Sequence, residues 1–301
     1  MTPSERSREN ERKAELVEAK SFLRKSLEIE FNRYFGLTDA AWIDRATNNW
    51  FHDENNYDGR WNVIRDRVPQ ARKILDMAAG CGTFAVYGLE RGYDVWGIEP
   101  ETWKREYLAK KVSASNHPAG YLDRIVYGFG EALPFADESF DLVTTYQTLE
   151  HVQDVKLCIL EMLRVLRPGG ILYVRAPSYN CFFEPHYRVP FLPKMNKRVA
   201  AAYLRAIGRP TLGLQTLRWV TEKGIIKLLE TNDYNLRIGR TALHHRAKRE
   251  QKILRLLPAP IRNVYLARIL NFAYELKFKA SEMLMVGRQE KHVDLWVTKI
   301  A

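Results

Sequence analysis

Two groups of residues in this 301-residue chain have the types and spacing to do chemistry. The first lies in KILDMAAGCGTFAVYGLERGYDVWGIE, where an apolar run ends in Asp76, a turn carries Gly80 and Gly82, and a second apolar run closes on Glu99. The glycines allow a sharp turn and let the backbone approach a ligand with no Cβ between them. A helix starting near Thr83 points free amides at that ligand, and Glu99 can accept hydrogen bonds from both hydroxyls of a ribose. Taken alone, GCGTFA fits the dinucleotide fingerprint G-x-G-x-x-G/A, which leaves an NAD-dependent oxidoreductase open. The second group is His151, next to Glu150, and His186 in the irregular stretch EPHYRVP. Both are imidazoles able to take a proton near neutral pH.

The elements that must position these residues follow from periodicity. Apolar side chains at Leu16, Leu23, Leu27, Phe31 and Tyr34 are spaced for a helix over residues 4–35, with Gly36 as its cap. This helix packs on the domain or on a second copy of the chain, giving a homodimer, or it serves as a lid. A shorter helix over 40–50 follows Thr38 or Asp39. HDENNYDGRW then interrupts the pattern, with Tyr57 and Trp61 either folding over a bound nucleoside or packing in the ordinary way. From Ile74 on, strands over 73–77, 94–98, 124–127, 140–146 and 170–176 alternate with helices near 83–91, 101–115 and 153–166. That alternation predicts an α/β fold with a doubly wound parallel sheet. Thr221 caps a further helix, residues 234–238 give a sixth strand, and HVDLWVTKI gives a seventh.

Five motifs stand in order along this stretch: DMAAGCG, GIE, EALPFADESFDLV, LEHV and VLRPGGILYV. With them, Lys73 to Pro177 resembles the class I S-adenosylmethionine-dependent methyltransferases, in particular the type 11 branch that also contains ubiquinone-pathway O-methyltransferases. The resemblance implies a seven-stranded Rossmann-like methyltransferase sheet with S-adenosyl-L-methionine as cofactor. A helical N-terminal extension then covers 1–70, the cofactor-binding core 71–177 and a substrate-side insert 178–220. Residues 221–301 complete the sheet around a basic helical insert at 242–285. Carried over residue by residue, the resemblance places Asp76, Ala78, Gly80 and Gly82 at the methionine part and ribose of the cofactor. Glu99 falls at the ribose diol, Gly130, Glu131 and Ala132 beside the adenine, and Tyr146 and Gln147 near the sulfonium or the amino-acid end.

Three positions depart from the family pattern. Ala78 replaces the first glycine, which suits a position with no need of positive φ. Phe129 replaces an acidic residue before the adenine segment and offers an aromatic face instead. Relatives with a bound divalent metal carry Glu-x-x-Glu-His, and here Gln147 takes the first position. Glu150 and His151 are then two ligands where Mg²⁺ prefers several oxygens, so no metal is expected to be required. The implied reaction displaces a methyl group in line from a sulfonium. The protein therefore has to position the acceptor and, for a hydroxyl, remove its proton. His151 and His186 are the candidate bases; His151 can equally orient the start of the next helix.

Charge points to the acceptor. The net charge is +11, but residues 188–210 hold six Lys/Arg and no acid, and residues 242–285 hold nine against three, so the basicity is local. The first segment follows Tyr179, Phe182, Phe183 and Tyr187, giving aromatic walls beside positive charge and a pocket for an anionic or sugar-bearing acceptor. The second combines Lys/Arg with Leu, Ile and Phe, split into two helices by Pro258 and Pro260. It suits peripheral contact with an anionic membrane face, or a helical hairpin buried on the domain. A nucleic-acid partner is disfavoured, because no aromatic-basic module of that kind appears. Neither a leader-like apolar segment nor an 18-residue apolar window is present, and the three cysteines, Cys81, Cys158 and Cys181, fit a reducing compartment. These features read as a cytoplasmic methyltransferase, O-directed, acting on a glycan, glycolipid or other lipid-linked acceptor at the inner membrane face. An NAD-dependent oxidoreductase and a catalytically silent nucleotide-binding scaffold are the alternatives.

Overall fold

The computed structural model describes residues 2–52, 59–240, 265, 268, 269, 272 and 292–300. Helix α1 (Pro3–Phe35) opens with a capping box, Thr2 accepting from the Glu5 amide, and ends at Gly36, whose left-handed φ of 64° lets its N–H reach Asn32. Helix α2 (Ala40–Phe51) starts at Asp39, whose side chain accepts from Trp42. A third helix, α3 (Arg60–Arg67), begins at Arg60 and Trp61, the last two residues of the stretch that reads as an interruption in the sequence.

The alternating units follow. They are β1 (Lys73–Met77), α4 (Thr83–Leu89), β2 (Asp94–Ile98), α5 (Thr102–Ala114), β3 (Ile125–Val126), β4 (Phe140–Tyr146), α6 (Val155–Val165) and β5 (Leu166–Pro177). A short hairpin of β6 (Phe183–Glu184) and β7 (Val189–Pro190) leads to α7 (Lys197–Ala206), α8 (Leu212–Thr216) and α9 (Glu222–Glu230). The chain closes on β8 (Leu236–Arg240) and β9 (His292–Lys299). Among the described residues the strands form one seven-stranded sheet in the order β3-β2-β1-β4-β5-β9-β8. The first five are parallel, and β9 runs antiparallel between β5 and β8.

Two differences from the sequence reading have local causes. The sixth strand starts at Leu236, two residues later than the apolar pattern suggests, because the Tyr234 amide is held in a turn by the Asn232 side chain at 2.8 Å. The fifth strand reaches back to Leu166, with its register shifted between Phe140 and Leu142 on the neighbouring strand.

Period-two alternation sends neighbouring strand residues to opposite faces of the sheet. Leu75, Val143 and Leu172 pack with Met162 of α6 and Ile225 of α9. Ile74, Leu142 and Tyr173 face the other way, toward Ala85, Leu108 and Trp61. Both faces are covered, which is why the strands read as continuous apolar runs. Trp61 therefore lies in the core and not over a ligand. Its ring stacks on Phe84 at 4.3 Å and its Nε1–H donates to the Phe84 carbonyl. The α1 helix packs on the same domain, Leu23 and Leu27 meeting Cys81 and Tyr107.

The strand order reverses direction between β1 and β4, so the loops leaving their C-terminal ends diverge and open a crevice. Asp76 and the glycine turn leave one side of it; Tyr146 to His151 leave the other. Tyr57, His244, His245, Pro258 and Pro260 lie outside the described residues. So does most of the 242–285 insert, in which Tyr265, Arg268, Ile269 and Phe272 are described and helical. No described helix is long and apolar enough to cross a membrane.

Trp61 joins α3 to the sheet, so Trp61→Ala should lower unfolding free energy by about 3–5 kcal/mol, read as a shift of the urea midpoint. A loss below about 1 kcal/mol would contradict its core placement.

Candidate functional site

The turn after β1 packs three left-handed residues into five positions: Ala78 at φ 70°, Gly80 at 59° and Gly82 at 75°. The glycines serve different ends. A Cβ on Gly82 would sit 2.7 Å from Leu108 Cδ1, so that position is glycine for packing; a Cβ on Gly80 would meet nothing within 4 Å. Space lies open beside the Gly80 backbone, as a ligand pressed against it requires. The expectation that Ala78 avoids positive φ is overturned: its Cβ is carried in a conformation that costs an L-residue about 1–2 kcal/mol.

Glu99 ends β2 beside this turn and is buried. One of its oxygens accepts from the Gly80 amide at 2.8 Å, the other from the Glu101 amide at 2.9 Å, and Lys104 Nζ lies 3.8 Å away. Burial raises its pKa, and Lys104 with the two amides draws it back. Asp76, near the end of β1, is also buried. Arg60 Nη2 lies 2.5 Å from its Oδ1 and also donates to Thr144 Oγ1 at 2.9 Å. Burial pushes the Asp76 carboxyl up, and the Arg60 guanidinium opposes it. Arg60 further lies 3.8 Å from the Phe84 ring centre and 5.2 Å from that of Tyr146. Sequence reasoning missed this residue. The one available signal was an acid closing a buried strand, which must find a cation somewhere.

The segment read as the adenine wall is built tightly. A Cβ on Gly130 would fall 2.8 Å from Met77 Sδ and 3.0 Å from Cys158 Sγ. Glu131 Oε1 accepts the amides of Gln153 at 2.7 Å and Asp154 at 3.2 Å, fixing the approach to α6. Ala132 N–H donates to the Phe129 carbonyl, and the Phe129 and Tyr127 rings are both exposed, edge to face at 5.8 Å. Across the crevice, Gln147 is exposed at φ 53° with its amide donating to the Arg175 carbonyl at 2.7 Å.

The structure brings the two candidate histidines together although 35 residues separate them. Their Nε2 atoms are 3.1 Å apart. His186 sits in the β6–β7 hairpin, stacked on Phe35 from the end of α1 at 5.4 Å. Its Nδ1 lies 2.8 Å from Glu184 Oε1, which also accepts from Tyr179 Oη at 3.0 Å. Burial pushes His186 toward neutrality, but the hydrogen bond and charge of Glu184 outweigh it and hold its pKa above the ordinary value. His151 is more open, with 37% of its side chain exposed. Glu150, fully buried, has neither carboxylate oxygen hydrogen-bonded; burial pushes its pKa up to about 7. Its Oε1 lies 3.8 Å from His186 Nε2 and 3.9 Å from His151 Nε2. Sequence reasoning had Glu150 and His151 as a pair; the fold adds His186 as a third donor, which local spacing could not reveal.

The insert after β5 is only partly the aromatic wall expected. Tyr179 and Tyr187 are buried, while Phe182 and Phe183 are exposed. A cleft beside the hairpin is lined by Leu37, Thr38, Asp39, Phe183, Arg188 and Arg209, pairing an aromatic ring with two cations.

Residues 75–174 match the type 11 family model described as a methyltransferase domain. Over 126 residues the chain is 36% identical to an uncharacterized methyltransferase of Mycobacterium sp. (strain KMS), covering 42% of this chain and 45% of that protein. Over 162 residues it is 30% identical to an uncharacterized methyltransferase of Mycobacterium avium (strain 104), covering 51% and 58%. The chain thus spans about half the length of the curated relatives it matches. Among solved structures, phosphoethanolamine N-methyltransferase 2 of Haemonchus contortus in complex with S-adenosyl-L-methionine aligns at TM-score 0.47 and 14% identity. That alignment covers 82% of this chain and 53% of that one, too loose a likeness to bear on the site.

Relief of the strain at position 78 is measurable. Ala78→Gly should raise unfolding free energy by about 1 kcal/mol in urea denaturation, the reverse of the usual effect of adding glycine. A loss of stability would show that the turn does not hold this residue left-handed.

Proposed function

We propose that this chain, whose residues 75–174 form a class I S-adenosylmethionine-dependent methyltransferase domain of type 11, methylates an acceptor held between the crevice and the insert after β5. The observation that carries the cofactor half is the open space at the Gly80 backbone beside buried Glu99. The residues fit the group. Glu99 has lone pairs left beyond its two backbone bonds, enough to accept from a ribose diol. The amides at the start of α4 face the same turn. Gly80, Gly82 and Ala78 would hold the methionine part and ribose, with Gly130, Glu131 and Ala132 beside the base and Tyr146 and Gln147 at the amino-acid end. When bound, the cofactor supplies a methyl group already activated on a sulfonium. The chain's own residues then have two tasks: to hold the acceptor in line, and to let its proton leave.

The Glu150–His151–His186 cluster stands at the crevice where the acceptor would give up that proton. Glu184 fixes the His186 ring by its Nδ1, and Phe35 stacks against the same ring. The cleft with Arg188, Arg209 and Phe183 supports an anionic or sugar-bearing acceptor, because it pairs guanidinium groups with an aromatic face. Lipid linkage of the acceptor draws on exposed apolar side chains. Phe182, Phe183 and Leu192 project from the insert, and Tyr265, Ile269 and Phe272 are exposed and helical at spacings of four and three residues, which share one face. An O-directed reaction on a glycan, glycolipid or other lipid-linked acceptor at an anionic membrane face is the reading these features support.

Two measurements test this. Calorimetry should show S-adenosylhomocysteine binding and no NADH binding. Glu99→Ala should weaken the former at least tenfold, equivalent to about 1.4 kcal/mol, with circular dichroism showing that the fold is retained. Binding of NADH alone would sink the methyltransferase reading. With methyl-labelled cofactor and a cell extract, label should enter the lipid fraction, and the protein should sediment with anionic vesicles at low salt and not with neutral ones. Label confined to RNA, or indifference to anionic vesicles, would overturn the acceptor class.

A further inference from the structure

The geometry points to a divalent transition-metal site formed by Glu150 Oε1, His151 Nε2 and His186 Nε2. These three atoms make a triangle with sides of 3.1, 3.8 and 3.9 Å. The point equidistant from all three lies about 2.1 Å from each, the length of a zinc bond to imidazole nitrogen or carboxylate oxygen. They form the one group of three such ligand atoms found among the described residues.

The surroundings fit a cation better than they fit its absence. Glu150 is fully buried, yet neither of its oxygens has a hydrogen-bond partner and both imidazoles stand beyond hydrogen-bonding reach of it. A carboxylate taken from water with no donor is strongly disfavoured, whereas one facing a metal is satisfied. The His186 ring is held by its other nitrogen, Nδ1 donating to Glu184, which leaves Nε2 as the ring nitrogen with a lone pair to give. A carboxylate behind a histidine is how proteins fix the tautomer and orientation of a metal-binding imidazole. Glu184 is itself secured by Tyr179 and by the Tyr187 amide.

Two imidazoles and one carboxylate select borderline ions of the zinc class over Mg²⁺, which wants mostly oxygen. Three protein ligands leave at least one position open. The occupant of that position would be an oxygen of the acceptor or water. This last role rests on the methyltransferase reading; the binding of the metal does not.

The test uses the full chain without an affinity tag, stripped by chelator and titrated with Zn²⁺, Co²⁺ and Mg²⁺ in calorimetry, with visible spectra recorded for Co²⁺. One tight Zn²⁺ equivalent is expected, with a Co²⁺ band in the visible and at least a hundredfold weaker response to Mg²⁺. Glu150→Ala and the double variant His151→Ala/His186→Ala should each weaken Zn²⁺ binding at least a hundredfold and abolish the Co²⁺ band. Glu184→Gln should weaken binding about 10–100-fold. His117→Ala, outside the site, should change neither. Circular dichroism and S-adenosylhomocysteine affinity of the same samples report fold and cofactor site separately. If wild type binds Zn²⁺ and Co²⁺ no better than the double variant while still binding S-adenosylhomocysteine, the metal site is refuted and the methyltransferase reading stands.

Discussion

A carboxylate removed from water must find donors, and the arrangement of this molecule around its crevice is largely the record of how three of them do so. Asp76 takes the guanidinium of Arg60, Glu99 takes two backbone amides with Lys104 nearby, and Glu184 takes an imidazole, a phenol and an amide. Each solution ties a separate element to the sheet. Arg60 brings α3 under β1 and β4, the Gly80 amide closes the turn after β1 onto the end of β2, and His186 ties the hairpin to the loop after β4. Glu150 alone is left with its oxygens bare. Beside those three, a fully buried carboxylate with no donor is informative, because nothing in the described residues offsets its desolvation.

The same constraint explains what the sequence disclosed. Strand positions were legible because a sheet buried on both faces needs continuous apolar runs, and these are local features of the chain. The helix caps at Gly36, Asp39 and Thr221 were legible because the chemistry that ends or begins a helix lies within a few residues of the terminus. The glycine turn and Glu99 were readable for a similar reason: one fixed strand–turn–helix unit sets their separation.

What escaped reading was long-range. Arg60 stands 16 residues before its partner in a stretch with no apolar period, so its helix left no pattern to see and its tryptophan neighbour looked free for other duties. The approach of His186 to His151 depends on how a hairpin of two-residue strands folds back, and nothing in either local sequence records that. The conformation of Ala78 went unseen for another reason. Residue identity argues against positive φ there, and the turn imposes it through glycines on either side of Cys81. A local preference of about 1–2 kcal/mol is readily overruled by the closure of a loop.

One element touches both halves of the site. Helix α1 lays Leu23 and Leu27 against Cys81 in the glycine turn and, two turns further on, stacks Phe35 on His186. At 1.5 Å of rise per residue, the eight residues from Leu27 to Phe35 measure about 12 Å. The helix therefore acts as a ruler laid across the mouth of the crevice. The gap between its two contacts is set by backbone hydrogen bonds and not by side chains that can rearrange. Lifting the helix from one contact loosens its grip on the other, so the turn and the hairpin belong to a single cooperative unit of local opening.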